Sequence, residues 1–270
     1  MKLLRLRHDY QEAAAQLEGQ FPDPAHATQS IEQDTHVTAH DGSTIAVFLS
    51  QRIDPELYRL AHALWKPVKG VPSNRATAVG VKSLHTSMNR YGVPSPRSGV
   101  PRVVLDVLKS KGVGQGILGF SRVPRQKAKL TRTTLTIRSP EMLDVNRPLV
   151  KLVNRLYKYY LPDLYAKQRT VVKKIPHLRQ TAFSTIYVVK NWQTAYHADG
   201  NLPGGMTAIM CMGAFTGGAL VLPRWRIAFA YEPGDLLLFD AEELHGNLPF
   251  AGERMSAAFY CTRYIPDCSR

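Results

Sequence analysis

The sequence predicts an α+β fold, in which a C-terminal double-stranded β-helix, or jelly roll, is supported by N-terminal helices. Two observations carry this prediction. From residue 181 onward, short β-type runs are separated by turns with no helical pattern between them, which is typical of a jelly roll or barrel. Upstream, two amphipathic helical patterns stand among loop-rich stretches. We expect a helical, loop-rich and basic part over residues 1–180 and the jelly-roll core over residues 181–270, as a single domain overall.

The two upstream helices are predicted over residues 54–66 and 147–161. The first has Asp54 at the N-cap and Pro55 at the first helical position, and Pro67 closes it. The second carries one apolar stripe, with Lys151, Arg155 and Lys158 off it, and the stripe should face a sheet; it consists of Leu149, Leu152, Val153, Leu156, Tyr157 and Tyr160.

Three other upstream stretches have weaker patterns. Residues 67–101 are rich in Pro, Gly, Ser and Asn, which predicts a loop. The glycines of GVGQGILG, residues 112–119, also read as a flexible loop, because no helix follows them as a dinucleotide-binding turn requires. The first sixteen residues carry charges where a signal peptide has its apolar region, and they predict a short helix.

The jelly-roll strands are predicted from six runs of β-type residues. Pro233 and Gly234 are placed for a type II turn that leads into the fifth run. The runs are FSTIYVV, MTAIMCMGAF, GGALVLP, IAFAYE, DLLLFDA and RMSAAFYCTRY.

The positive charge of the chain is concentrated in its middle. The net charge is +14, and residues 66–179 contain 24 Lys and Arg against 4 Asp and Glu. So basic a segment, with so few acids interspersed, favours a nucleic acid as a partner. The alternative is a solvated basic face on a protein of high isoelectric point.

Hydropathy and cysteine content bear on the cellular location. No apolar stretch approaches the length that crosses a bilayer, so we expect no membrane contact. The three cysteines, Cys211, Cys261 and Cys268, form no CxxC pair and cannot all pair with one another, which fits an intracellular, reducing compartment: the cytoplasm, or the nucleus in a eukaryote. We also expect a monomer.

Three residues in the C-terminal part have the types and spacing of a metal site. His197 and Asp199 lie two residues apart in a turn-rich stretch, and His245 ends the run DLLLFDAEEL. Two histidines and one carboxylate can occupy one face of an octahedral Fe(II) ion and leave positions open for substrate and dioxygen. Two alternatives stay open: a Zn(II) or other non-oxygenase site, which uses the same ligands, and three unconnected polar residues.

The strand that follows His245 adds an anion-binding candidate. Arg254 and Ser256 open this strand after a turn at Gly252, so Arg254 can grip a carboxylate in bidentate fashion next to His245. An ordinary salt bridge is the alternative for Arg254. Strand alternation puts two sets of residues on opposite faces: Arg254, Ser256, Ala258 and Tyr260 on one, and Met255, Ala257, Phe259 and Cys261 on the other.

A longer pattern in the same region resembles a known family. FSTIYVVKNWQTAYHADGN, GAFTGGALVLP and YEPGDLLLFDAEELHGNLPFAGERMSAAFY, over roughly residues 181–263, are similar to one branch of the 2-oxoglutarate/Fe(II) dioxygenases. This branch contains the TET methylcytosine dioxygenases and the J-binding-protein thymine hydroxylases. The resemblance implies that His197, Asp199 and His245 bind Fe(II). It also implies that Arg254 and Ser256 hold the distal carboxylate of the cosubstrate 2-oxoglutarate, and that O2 is the oxidant.

The resemblance further implies hydroxylation of the C5 methyl group of a pyrimidine base, 5-methylcytosine or thymine in DNA. Such a base must leave the stack to reach a buried metal, and Tyr260 falls where the family has an aromatic side chain against the flipped base. The methylcytosine enzymes have an Asn and a His at the positions of Leu202 and Thr262, and here an Asn, Asn201, comes one residue earlier. Tyr260, Asn201 and Thr262 are therefore the candidate substrate-binding residues.

Some alternatives to this interpretation stay open. The chain could be a 2-oxoglutarate oxygenase that hydroxylates a protein side chain or a small molecule. It could also be a non-catalytic nucleic-acid-binding protein with a degenerate metal site. For the C1 carboxylate of 2-oxoglutarate, Arg75, Arg122 and Arg132 are unranked candidates.

Overall fold

The computed structural model describes residues 1–69, 78, 80, 114–122 and 130–262. These residues form thirteen strands and six α-helices. The strands are β1 Lys2–Arg5, β2 Gln29–Ile31, β3 Thr35–Thr38, β4 Thr44–Leu49, β5 Gly114–Arg122, β6 Leu130–Arg132, β7 Thr185–Lys190, β8 Thr207–Gly217, β9 Leu220–Leu222, β10 Ile227–Phe229, β11 Leu236–Phe239, β12 Gly246–Asn247 and β13 Phe250–Tyr260. The helices are α1 Gln11–Ala15, α2 Pro55–Trp65, α3 Thr134–Arg138, α4 Glu141–Val145, α5 Arg147–Tyr160 and α6 Pro162–Val172.

The described strands form two sheets. A nine-stranded sheet has the order β1-β3-β4-β11-β8-β13-β7-β5-β6, and a four-stranded sheet has the order β12-β9-β10-β2. Strand β11 shows how the layers are built, because its residues alternate between the two faces of the large sheet. Leu236 and Leu238 belong to the core between this sheet and the helices. Leu237 and Phe239 belong to the core that also contains residues of the small sheet. The predicted jelly-roll class is confirmed.

Both predicted helices are confirmed. The Asp54 carboxylate caps α2 by accepting a hydrogen bond of 2.8 Å from the backbone N–H of Glu56. At the end of α2, Trp65 is buried and its indole N–H donates to Asn146 Oδ1 at 3.0 Å. Helix α5 packs its apolar stripe against the large sheet through side chains that include Leu149, Val153 and Tyr157.

The strands of the C-terminal half match the predicted runs, and the turn between two of them has the predicted form. Gly234 has φ of +102°, and the Asp235 N–H donates to Glu232 O at 3.1 Å, as in a type II turn. Along β13, Met255, Ala257 and Phe259 enter the core beneath the helices, so the predicted alternation of faces is confirmed for these residues.

The N-terminal part contributes strands that the sequence analysis did not predict. Residues 2–5 form β1, which pairs in parallel with β3, where we expected a helix; only α1, at residues 11–15, is helical there. The expected glycine loop at 112–119 is largely β5, which pairs with β7. Its glycines have a packing reason: a Cβ on Gly119 would lie 2.4 Å from Ser184 O. Strands from both sides of residue 180 share each sheet, and the division at residue 180 stays a prediction.

Further sequence predictions concern the cysteines and membrane contact. Cys211 and Cys261 are buried free thiols, and Cys268 lies outside the described residues. Within the described ranges, every helix falls short of the length and apolarity that a bilayer span requires. Most of the predicted loop 67–101 lies outside the described residues.

Candidate metal and cosubstrate site

The two histidines of the predicted triad meet as a backbone pair. His197 N donates to His245 O and His245 N donates to His197 O, both at 2.9 Å, so the residues form an isolated antiparallel bridge. The ring centroids are 4.4 Å apart, and both side chains are buried. The jelly roll therefore brings together two residues that are 48 positions apart in the sequence.

Backbone carbonyl groups fix the orientation of both rings. His197 Nδ1 lies 2.8 Å from Ala195 O, and His245 Nδ1 lies 2.8 Å from Glu243 O. A carbonyl oxygen only accepts hydrogen bonds, so each neutral ring carries its proton on Nδ1. Each Nε2 then presents a lone pair, as a metal-binding imidazole requires.

Asp199 completes the cluster. Its backbone N–H donates to Ala241 O at 2.8 Å, and its Oδ1 lies 3.5 Å from His197 Nε2. One donor atom from each of His197, Asp199 and His245 lies within 4.8 Å of the others. Two neutral imidazoles and a carboxylate in this arrangement fit a divalent first-row transition metal.

Arg254 and Ser256 line the same cavity as the three metal-type donors. The Arg254 side chain is buried, with 5% exposure, and its Nε has no hydrogen-bond partner. Its Nη2 lies 3.5 Å from Gly218 O, which is long for a hydrogen bond. Among the described residues, no carboxylate pairs with Arg254, so this part of the chain supplies a buried cation without supplying its counter-ion.

The surroundings of Arg254 are aromatic and uncharged. The guanidinium lies 5.5 Å from the Phe215 ring centroid and 5.4 Å from that of Phe250. Burial raises the pKa of the nearby Cys211 thiol and of the Tyr231 hydroxyl. Both groups are therefore neutral at physiological pH and place no negative charge next to Arg254.

Two asparagines that the sequence analysis did not assign to the site position its strands. Asn191 Oδ1 accepts the Arg254 backbone N–H at 2.9 Å, and Asn191 has φ of +50°. Asn247 Oδ1 accepts from the backbone N–H of Thr194 at 2.8 Å and from its hydroxyl at 2.7 Å. Thr194 and Asn247 also line the cavity. Their proximity to the triad in the sequence was the only available signal.

The structure describes all three predicted substrate residues, Tyr260, Asn201 and Thr262. Asn201 and Thr262 form an isolated bridge with each other, and Asn201 Nδ2 donates to Thr207 Oγ1 at 2.8 Å. Tyr260 lies two residues beyond Ala258 on β13, and Ala258 is a lining residue of the cavity. None of the three predicted substrate residues is among the lining residues, so their role stays a prediction.

Of the three candidates for the C1 carboxylate, only Arg132 has a side chain within the described part of the chain. Arg132 lines a different cavity, against helices α3 to α5. Arg75 and the Arg122 side chain lie outside the described part of the chain.

Fold and site together define a jelly-roll protein with a His-Asp-His cluster whose two histidines are buried, and with an adjacent arginine that pairs with no carboxylate of the described residues. The family model of the Tet_JBP oxygenase domain of the 2OGFeDO superfamily matches residues 119–263. The chain belongs to this family.

Two similar proteins and one solved structure complete the comparison. The bifunctional helicase and thymine dioxygenase JBP2 of Trypanosoma brucei brucei is 38% identical over 137 residues, which are 49% of this chain and 13% of that protein. The thymine dioxygenase JBP1 of Leishmania infantum is 27% identical over 210 residues, 74% of this chain and 24% of that protein. This chain thus spans less than a quarter of their length. The structure of NgTET1 in complex with 5mC DNA has a TM-score of 0.56 and 14% identity, covering 88% of this chain and 80% of that one, and it supports the fold.

Proposed function

We propose that this chain is an Fe(II)/2-oxoglutarate-dependent dioxygenase that hydroxylates the C5 methyl group of a pyrimidine base in DNA. One observation carries the proposal: a single cavity contains both the His-Asp-His donors and the unpaired buried Arg254. A metal site alone would fit many functions, whereas a metal site beside a buried cation fits a metal-bound dicarboxylate.

The three donors would hold Fe(II), with His197 and His245 binding through Nε2 and Asp199 through a carboxylate oxygen. Bound Fe(II), together with 2-oxoglutarate and O2, would supply the oxidising power that hydroxylation of a methyl group requires. Three protein ligands leave open positions on the metal for these reactants.

Arg254 and Ser256 would bind the distal carboxylate of 2-oxoglutarate. The Arg254 guanidinium offers two parallel N–H donors for a carboxylate, and Ser256 lines the same wall one pleat further along β13. The carboxylate would neutralise Arg254 in a place where water is largely excluded, so the pair would gain more than a surface pair.

Thymine is the base that we favour. The relatives JBP1 and JBP2 are named as thymine dioxygenases, and the NgTET1 structure contains 5mC DNA; both names indicate a pyrimidine with a C5 methyl group. Leu202 packs in an apolar cluster with Val172, Ile175 and Cys261. It therefore offers no polar group to the cytosine edge at the position where the methylcytosine enzymes have Asn.

The basic segment 66–179 would hold the phosphate backbone, with Tyr260, Asn201 and Thr262 near the entering base. The charge excess of this segment supports the assignment, and binding should weaken steeply as salt rises. The two buried free cysteines support a reducing intracellular compartment, and a monomer stays a prediction.

The test is mass spectrometry of nucleosides after incubation with Fe(II), 2-oxoglutarate and DNA that contains thymine and 5-methylcytosine. We expect a hydroxymethyl pyrimidine, together with succinate, from the wild-type chain. His245→Ala should abolish both products, whereas His40→Ala, at an exposed histidine, should abolish neither. Succinate without any oxidised base would refute the DNA substrate, and the absence of both products would refute the oxygenase.

A further inference from the structure

A second cavity, of about 370 Å³, lies on the other face of the large sheet. On β7, Ile186 lines this cavity, whereas Tyr187 and Val189 line the cavity of the triad. Successive strand residues point to opposite faces, so the sheet separates the two cavities. The volume falls within the range of small-molecule sites. We name it the back cavity.

Cationic side chains surround the back cavity. They come from β6, from helix α5 and from the segment before β7, and they are Arg132, Arg147, Lys151 and Arg179. The cavity has one carboxylate, Asp144, which already pairs with Arg147. Arg132, Lys151 and Arg179 form no salt bridge with other described residues, so within the described part of the chain three like charges face one space without a paired carboxylate. Such a cluster focuses a positive potential that attracts an anion.

The floor of the back cavity is apolar. Phe120 from β5 and Leu143 from α4 line it, together with the buried side chains of Val150, Leu178 and Ile186. The hydroxyl groups at its wall are already engaged: Thr136 Oγ1 is 2.7 Å from Gly119 N, and Thr181 Oγ1 donates to Leu178 O at 2.8 Å. His177 also lines the cavity, with its Nδ1 2.7 Å from Ile175 O. Recognition therefore falls mainly to the cations and to the apolar floor.

We propose that the back cavity binds a phosphate group attached to a flat, apolar body, as in a nucleoside monophosphate. Arginine matches the planar, bidentate geometry of a phosphate, and lysine adds a point charge. A planar base would cover the apolar floor. The nucleotide would be a free molecule or the phosphorylated end of a nucleic-acid strand. In either case the nucleotide in the back cavity is a different one from the nucleotide whose base reaches the triad, because the sheet lies between the two cavities.

The test is isothermal titration calorimetry of the full chain without metal or 2-oxoglutarate, with thymidine 5′-monophosphate and inorganic phosphate as probes. We expect the nucleotide to bind more tightly than phosphate. Lys151→Gln combined with Arg179→Gln should weaken nucleotide binding about 10- to 100-fold, because each substitution removes a charged hydrogen-bond donor to the phosphate. The control is Lys158→Gln, two turns along α5 and outside the cavity lining, which should stay within about twofold of wild type.

A 5′-phosphorylated and an unphosphorylated oligonucleotide separate the two sources of the phosphate group. Binding of only the phosphorylated strand and not of the free nucleotide supports the site and assigns it to a strand end. No binding of either phosphate monoester at millimolar concentration overturns the proposal. The proposal is also overturned if the double variant loses binding of phosphorylated and unphosphorylated DNA equally and the wild-type chain does not bind the nucleotide. The cationic cluster would then be a general contact to the DNA backbone. No outcome depends on oxygenase activity.

Discussion

Replacing Arg254 by methionine should weaken 2-oxoglutarate binding without destabilising the fold. The side chain is buried, its Nε has no hydrogen-bond partner and no described carboxylate pairs with it. A buried ion carries a desolvation penalty of several kcal/mol, which replacement by an apolar side chain removes. The two aromatic contacts, to Phe215 and Phe250, oppose this gain, and each desolvated contact of this kind contributes about 2 kcal/mol. Because the two effects oppose each other, the free energy of unfolding of Arg254→Met without ligand should stay within about 1 kcal/mol of wild type or rise.

The stabilisation of the fold by bound 2-oxoglutarate should fall in the same variant. Hydrogen bonds to a charged group contribute about 1.5–3 kcal/mol, so the dissociation constant for 2-oxoglutarate should rise about 10- to 150-fold. At a ligand concentration of about 100 times the wild-type dissociation constant, the wild-type fold gains about 2.7 kcal/mol. A variant with about 100-fold weaker binding gains about 0.4 kcal/mol under the same conditions.

Thermal unfolding with Fe(II), in the absence of O2, measures both terms. The wild-type Tm should rise by about 5–10 °C on addition of 2-oxoglutarate, and that of Arg254→Met by about 1 °C. Arg254→Lys, which keeps the charge but not the bidentate geometry, should lie between them. If Arg254→Met unfolds several degrees lower without ligand and still shows the full ligand shift, Arg254 is a structural residue and the reasoning is wrong.

Three further outcomes follow from other contacts. Arg224 binds both Asp9 and Glu243, and Glu243 O holds the His245 ring, so Arg224→Met should lower Fe(II) affinity several-fold in a metal titration, whereas Arg52→Met should not. The hydrogen bond from Arg224 lowers the pKa of the Asp9 carboxyl. The stability that this salt bridge contributes is present above the unfolded pKa of about 4 and is lost as pH falls through the lower folded pKa. Arg224→Met should therefore flatten the acid limb of a plot of Tm against pH. Gly213 and Gly42 both have positive φ, but a Cβ on Gly213 would lie 2.2 Å from Glu253 O, whereas one on Gly42 would meet nothing within 4 Å. Chemical denaturation should show that Gly213→Ala lowers the free energy of unfolding by about 3 kcal/mol or more. Gly42→Ala should lower it by about 1 kcal/mol.

The sequence predicted elements whose signal is local. The capping Asp54 and the closing Pro67 lie directly before and after helix α2 in the sequence. The strands after residue 181 are likewise bounded by turn residues close to them in the sequence. Strand β1 has no such signal: its pairing with β3 is a parallel, long-range contact that only the folded sheet supplies. Strand β4 is different, because its run TIAVFL is a β-type pattern that we could have used.

The site divides in the same way. His197, Asp199 and His245 could be found because few residue types bind a transition metal and their spacing matched a known geometry. Asn247 could not, since an asparagine that satisfies a backbone N–H looks like any loop asparagine until its partner is known. The position of Asn201 and Thr262 outside the cavity depends on the path of the chain after Asp199, which residue types do not encode.

The contacts that orient the two histidines make one more prediction. The backbone pair of His197 and His245 and both Nδ1 contacts to carbonyl groups involve protein atoms only. Protein contacts therefore orient both imidazoles, and metal binding should cost little free energy to order the two rings. Chelation should lower the free energy of unfolding, and with it Tm, only by the mass-action term. That term is about 4.1 kcal/mol when the metal concentration is 1,000 times its dissociation constant. The far-UV circular dichroism spectrum should not change. A loss of secondary structure on chelation would show that the metal helps to fold the site, which would contradict this account of the two rings.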